Sequence, residues 1–193
     1  MTASLVEGDD GLARCWWCGD DPLYVAYHDD EWGQPTRDER ELFELLSLEA
    51  FQAGLAWITI LRKREAFREA FDGFDIETVA SYDEADIERL LGNAGIVRHR
   101  GKIEATIRLA NLCLEFAAEG TTMSQFVWSF APQPRAAPLG SIDEVPDNTP
   151  EAVALSKALK ARGAKFVGPT IVYAFMQSAG IVDDHLAGCH RAP

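Results

Sequence analysis

Two cysteines and two histidines at opposite ends of this 193-residue chain have the donor chemistry of a closed metal site. Cys15 and His28 stand near the N-terminus. His185 and Cys189 stand near the C-terminus, four apart in DDHLAGCH, a spacing that brings both side chains to one side of a helical turn. Two thiolates and two imidazoles suit tetrahedral Zn2+. Four protein ligands leave no position for a reactant, so the expected role is structural. Such a site would clip together two chain ends that otherwise fray. Cys18 and His190 offer a rival set. The Cys15–Cys18 pair has zinc-knuckle spacing, but it lacks a partner C-x-x-C, and the βαβ context of a thioredoxin-like pair is missing. Separate buried thiols and exposed imidazoles are the plain alternative. Cys113, on the apolar side of its helix, reads as core.

A second group is a carboxylate on an apolar face. Glu49 follows Leu42, Leu45 and Leu46 at helical spacing, with Ala53 continuing the stripe. A buried carboxylate is costly unless paired or hydrogen-bonded, and no lysine or arginine lies within a turn. A buried ion pair with a distant arginine is one reading. The other is a carboxylate in an aromatic-lined pocket, suited to hold a cation or to accept a hydrogen bond from an amino group. Trp17, Tyr24, Tyr27, Trp32 and Trp57 lie close in sequence to Glu49 and to the metal candidates. Singly each suits core packing; together they suit the walls of a planar, cationic ring. A third feature is the turn GNAGIVRHRGK (92–102), whose glycines let backbone N–H groups approach an anion at a helix N-terminus. It carries Arg98, His99, Arg100 and Lys102. Arg62-Lys63-Arg64 forms another basic cluster.

The elements that must position these groups read as helices. Residues 38–71 form one helix, or two broken near Gly54; 83–93 form a short one; 102–120 end at Gly120 as a C-cap. Thr149-Pro150-Glu151 and Pro169 start two more. Residues 131–150, holding five of the nine prolines, form a loop, and residues 1–13 are expected to be flexible. Alternating patterns are scarce, so the class is all-α. With 47% hydrophobic residues, the chain can bury a core without disulfides. MTASLVEGDD lacks the features of a signal peptide, and the longest apolar run, 55–61, is far short of the ~18 residues of a membrane span. The expected compartment is the cytoplasm. A net charge of −13 repels nucleic acid at long range, so a nucleic-acid function must rest on local features.

The runs CWWCGDDPLYVAYHDDEWG, LFELLSLEAFQAGLAWITILRKRE, AGIVRHRGKI, FVWSF, LSKALKARGAKFVGPTIVYAFMQSAGIVDDH and HLAGC span roughly residues 14–190. They resemble the DNA-3-methyladenine glycosylase I family. The resemblance implies a helix-hairpin-helix DNA glycosylase fold, one domain of two helical lobes over 1–193, and a Zn2+ held by Cys15, His28, His185 and Cys189. It implies a base pocket of Glu49, Tyr24, Tyr27, Trp57 and Trp17 with Trp32 nearby, and assigns the catalytic part to Glu49. It implies that the hairpin, through Gly95, Arg98, Arg100, Gly101 and Lys102, grips the backbone of alkylated double-stranded DNA. Gln52, Gly54 and Leu55 would fill the gap left by an extruded nucleotide. Cys18 stands where the family requires no cysteine. The catalytic aspartate that other such glycosylases carry after the hairpin is absent from the family, and none stands shortly after this one. The implied enzyme is monofunctional and monomeric and needs neither membrane nor protein partner.

Overall fold

The computed structural model describes residues 4–193. Among them are ten α-helices and one two-stranded sheet. Strands β1 (Leu5–Glu7) and β2 (Ala13–Cys15) pair antiparallel with Leu5 opposite Cys15. This ladder lies where the sequence suggested a loose end; residues 1–3 lie outside the described residues. The helices are α1 (Pro22–Asp30), α2 (Glu39–Gln52), α3 (Trp57–Leu61), α4 (Arg64–Ala70), α5 (Ile76–Ala80), α6 (Glu84–Gly92), α7 (Arg100–Ala118), α8 (Met123–Trp128), α9 (Pro150–Ala161) and α10 (Pro169–Ser178).

The central helix is α2. Asp38 caps it by accepting the Glu41 N–H, and Glu39 and Glu41 sit in its first turn, where the helix dipole favours acid. Leu42, Phe43, Leu46, Leu48 and Phe51 are all essentially without exposure, so α2 is surrounded by core and its polar residues are buried with it. It packs against α3, α7, α8 and α10. It stops at Gln52 because Ala53 turns extended and Gly54 takes a φ of 84°, which glycine adopts without a Cβ penalty. Thus the segment read as one helix or two is three helices, with the first break at the expected glycine.

The hairpin lies between α6 and α7. A reciprocal capping box of Asp83 and Asp86 starts α6, and the His99 ring accepts the Lys102 N–H to start α7. Thr149 caps α9 with Pro150 at its first position, and Pro169 opens α10, as the sequence indicated. The loop 131–149 holds a single short 3-10 turn, Ile142–Glu144. The segment carrying His185 and Cys189 is not helical. It is a series of turns, closed by the Cys189 N–H donating to the Leu186 carbonyl. The spacing of four therefore unites the two ligand candidates by a turn rather than by a helix.

Candidate active site

Glu44 and Glu49 are both buried on α2 but are met differently. Glu44 bonds Arg40 at 3.0 Å and Arg68 at 2.7 Å. Glu49, 2% exposed, has the Ser178 hydroxyl donating to Oε1 at 2.7 Å, while Oε2 is buried without a hydrogen-bond partner. No arginine meets Glu49, which leaves the reading of a carboxylate in an aromatic-lined pocket; Glu44 is the carboxylate on α2 that is paired with arginine. Burial pushes the Glu49 carboxyl up to about 8, the Ser178 hydrogen bond opposing the shift. Tyr27 donates to Ser178 at 3.1 Å, so a relay runs Tyr27–Ser178–Glu49.

Glu49 opens into a cavity of about 260 Å3 lined by Trp16, Trp17, Tyr24, Tyr27, Trp32, Gln52 and Trp57, with α10 and the 131–149 loop closing it. Tyr27 and Trp57 have ring centroids 5.5 Å apart, and Trp17 stands 5.0 Å from both Tyr24 and Trp32. Burial raises the Tyr24 phenol to about 12 and lifts Tyr27 well above its ordinary value, so both stay neutral hydrogen-bonding groups. Trp57 Nε1 is a second buried polar atom without a partner. An orphan acceptor and an orphan donor among aromatic walls are costly in isolation and await a flat, polar-edged guest. The sequence grouped five of these aromatics with Glu49, and all five line this cavity.

Trp17 and Trp32 also lead to the metal candidates. Trp32 packs edge-on against His185 at 4.7 Å, and Trp17 lies 5.2 Å from His28. Ligand atoms of Cys15, His28 and Cys189 lie within 4.8 Å of one another, and the His28 and His185 rings are 5.0 Å apart. His185 Nε2 is buried without a partner. His28 Nδ1 meets Asp29 and His185 Nδ1 meets Asp183, each at 2.7 Å, which turns both Nε2 atoms inward. The Cys15 sulfur beside it pulls the Cys189 thiol down, while Cys189 and burial push Cys15 up, so a bound cation would have to displace the proton that Cys15 keeps. Cys15, His28 and Cys189 are placed to share one soft cation, with the unpartnered Nε2 of His185, outside that group, as the candidate fourth donor. Cys18 faces elsewhere: its thiol donates to the Cys15 carbonyl at 3.2 Å, and burial lifts it to about 11. His190 bonds Asp29, which already binds Arg14 and His28.

The basic groups are distributed differently from expectation. Arg98 is exposed at the hairpin. Arg100 is surrounded by Glu84, Glu88 and Glu104. Lys102 is buried, its ammonium bonded to the Phe51 and Ala53 carbonyls, so that charge is not offered to a phosphate. In the second cluster Arg62 pairs with Asp21 and Arg64 with Glu31, while Lys63 bonds the Ala94 and Gly95 carbonyls. Gly54 and Leu55 stand exposed on the turn after α2, Leu55 at 43%.

The chain is similar in sequence and fold to known proteins. A family model described as methyladenine glycosylase matches residues 17–192. The chain belongs to the methyladenine glycosylase family. It is 51% identical over 179 residues to DNA-3-methyladenine glycosylase 1 of Escherichia coli K12, covering 92% of this chain and 96% of the relative. A crystal structure of 3-methyladenine DNA glycosylase I superposes with a TM-score of 0.90 at 52% identity, covering 93% of this chain and all of that one. A Staphylococcus aureus 3-methyladenine DNA glycosylase I, solved to explain 3-methyladenine recognition, gives 0.85 at 41% identity over 90% of this chain and 93% of that one. The family's helix-hairpin-helix fold is thus this chain's fold.

The cavity includes residues that sequence reading left out. Ala174, Gln177 and Ser178 line the cavity from one face of α10, at i, i+3 and i+4. A polar pair, partly buried Gln177 and buried Ser178, at the end of an apolar helix was the available signal. Asp184 and Val145 gave none, because they join the cavity only through loop packing.

Proposed function

We propose that this chain removes 3-methyladenine from alkylated double-stranded DNA by hydrolysing the N-glycosidic bond, as a monofunctional glycosylase. The observation that carries this reading is the unpartnered Glu49 carboxylate oxygen inside an aromatic cavity, in a chain of this family. The nucleotide leaves the stack and enters the cavity, where its ring packs against Tyr24, Tyr27, Trp57 and Trp17, with Trp32 behind. Adenine methylated at N3 within DNA is a cation. Glu49 accepts from its amino edge and supplies the countercharge, which ordinary adenine does not need. The glycosidic electron pair then departs with the base, which leaves neutral. Water bonds to C1′ and loses a proton, leaving an abasic site. A cationic leaving group needs no acid, consistent with the missing aspartate after the hairpin.

Gln52, Gly54 and Leu55 fill the vacated gap in the duplex. Backbone N–H groups around Gly95 and Gly101, with Arg98, hold the phosphates. Arg100 contributes little while three glutamates hold it, and Lys102 acts from inside the protein. Cys15, His28, His185 and Cys189 hold one structural Zn2+, which supplies folding energy and no chemistry. The chain works as one domain and as a monomer, in the cytoplasm; among the described residues no helix is long and apolar enough to cross a membrane.

The deciding experiment is to incubate the protein with methylated duplex DNA and analyse the released bases. Free 3-methyladenine above a boiled control is expected, and its absence refutes the reading. A net charge of −13 favours a second reading, a module that binds damaged bases without chemistry; it predicts binding with no release in the same assay.

A further inference from the structure

Lys102 has a different task from the one its place in a basic hairpin suggests. It lies in the first turn of α7 and is 6% exposed. Its Nζ donates at 2.8 Å to the Phe51 carbonyl and at 2.8 Å to the Ala53 carbonyl. Those carbonyls belong to the last turn of α2 and the residue after it, the negative end of a helix dipole. The Phe166 ring lies 5.9 Å from the ammonium. Burial alone pushes its pKa down, with no acid acting against it. A charge carried inside at such cost, where an apolar side chain would fill the same space, points to what its hydrogen bonds hold.

What they hold is the root of an exposed turn. Directly after the pinned Ala53 carbonyl come Gly54, at a φ of 84°, and Leu55, among the most exposed large apolar side chains described. On the other flank Lys63, just after α3, donates at 3.2 and 3.0 Å to the Ala94 and Gly95 carbonyls of the hairpin. One lysine on the hairpin helix grips the 52–55 turn, and one beyond that turn grips the hairpin. We propose that Lys102 is a positioning residue that locks the 52–55 turn to the hairpin, so that both press on DNA as one rigid piece. This rests on the base-extrusion reading given above. The lock would hold Leu55 at a fixed height above the phosphate grip, so its loss would impair opening of the duplex and leave the base cavity intact.

The test compares the wild-type protein with Lys102→Met and Lys102→Arg, all full length. Free 3-methyladenine binding is read by tryptophan fluorescence. Duplex opening is read by 2-aminopurine placed beside a non-hydrolysable abasic analogue, and excision is measured on methylated duplex and single-stranded DNA. Lys102→Met is expected to unfold cooperatively and to bind the free base as the wild type does. It should lose the 2-aminopurine signal and about 10²-fold of duplex kcat. Excision from single strands, which need no opening, should fall far less, and Lys102→Arg should recover part of the loss. Wild-type duplex activity in Lys102→Met overturns the proposal, as does an equal loss of free-base binding, single-strand and duplex activity. Should Lys102→Met fail to fold, Lys102→Gln, which keeps a donor for one carbonyl, carries the same comparison. Wild-type protein that releases no base refutes the proposed function instead. The 2-aminopurine signal needs no chemistry and still decides on Lys102.

Discussion

Glu49 holds its proton up to about 8 because burial penalises the carboxylate and a single serine hydroxyl meets it. The unfolded chain releases that proton near the ordinary value of 4.5. Between those two values the folded state binds a proton that the unfolded state does not, so this group's contribution to stability falls as pH rises. Glu49→Gln removes the dependence. Denaturant unfolding should show the variant gaining roughly 3 kcal/mol over wild type between pH 5 and pH 8; a constant difference would mean that the buried carboxyl titrates normally. The same substitution reports on function with the opposite sign. A cationic nucleotide favours the ionised carboxyl, so wild-type kcat/KM on methylated duplex should climb with pH towards about 8 and then level. Glu49→Gln should be at least about tenfold slower and lack that limb. The sequence exposed Glu49 because a helical period put a charge on an apolar stripe. It could not reveal Ser178, which reaches the same carboxylate only because α10 packs across α2.

At the scale of elements, local chemistry was legible wherever it was self-contained. Pro150 and Pro169 opened helices at their own positions, and Gly54 ended one. Elements that depend on distant partners were not legible. The strand Leu5–Glu7 is too short to show alternation and exists because Ala13–Cys15 pairs with it. The basic hairpin misled for a related reason: residue type advertised phosphate contacts, but Glu84 and Glu88 reach Arg100 from α6, and α2 ends on Lys102. Gly180 is a joint between elements. It sits at a φ of 64°, and a Cβ there would collide with the backbone of Gln34 and Pro35. Neither neighbour is a side chain that can swing away. Gly180→Ala should therefore lower unfolding stability by about 2–4 kcal/mol, measured by chemical denaturation. A loss below 1 kcal/mol would mean that this joint relaxes easily.

Across the whole molecule, the charge of −13 is accompanied by extensive pairing of the arginines. Arg62, Arg64, Arg68, Arg100, Arg108 and Arg162 all bond carboxylates of the chain itself. Among the described residues of the hairpin and the 62–64 cluster, Arg98 alone is left without a partner to displace counterions from DNA. The slope of log affinity against log salt for an abasic duplex should correspond to about two or three neutralised phosphates; a slope near six would show that these ion pairs open on binding. The Cys/His cluster joins the strand Ala13–Cys15 to the final turns of the chain, so a bound ion should contribute at the scale of the fold. Purified protein should contain one zinc per chain, lost in Cys189→Ala and kept in Cys18→Ala. Chelation should lower Tm by about 10 °C or more. Metal retained by Cys189→Ala would exclude this ligand set.

The same joining of the ends governs how the molecule can be made. The cavity takes walls from Trp16, Trp17 and Trp32 early in the chain and from Gln177, Ser178 and Asp184 near its end, and Cys189 lies beyond them all. Until residues 169–189 are free to fold, the early aromatics have neither α10 nor Cys189 to close against. The cavity therefore closes late, once residues far apart in the chain have packed together, and no single local stretch can form it. A chain cut before Gln177 would lose Gln177, Ser178 and Asp184 from the wall while keeping the turns at 52–55 and 92–102.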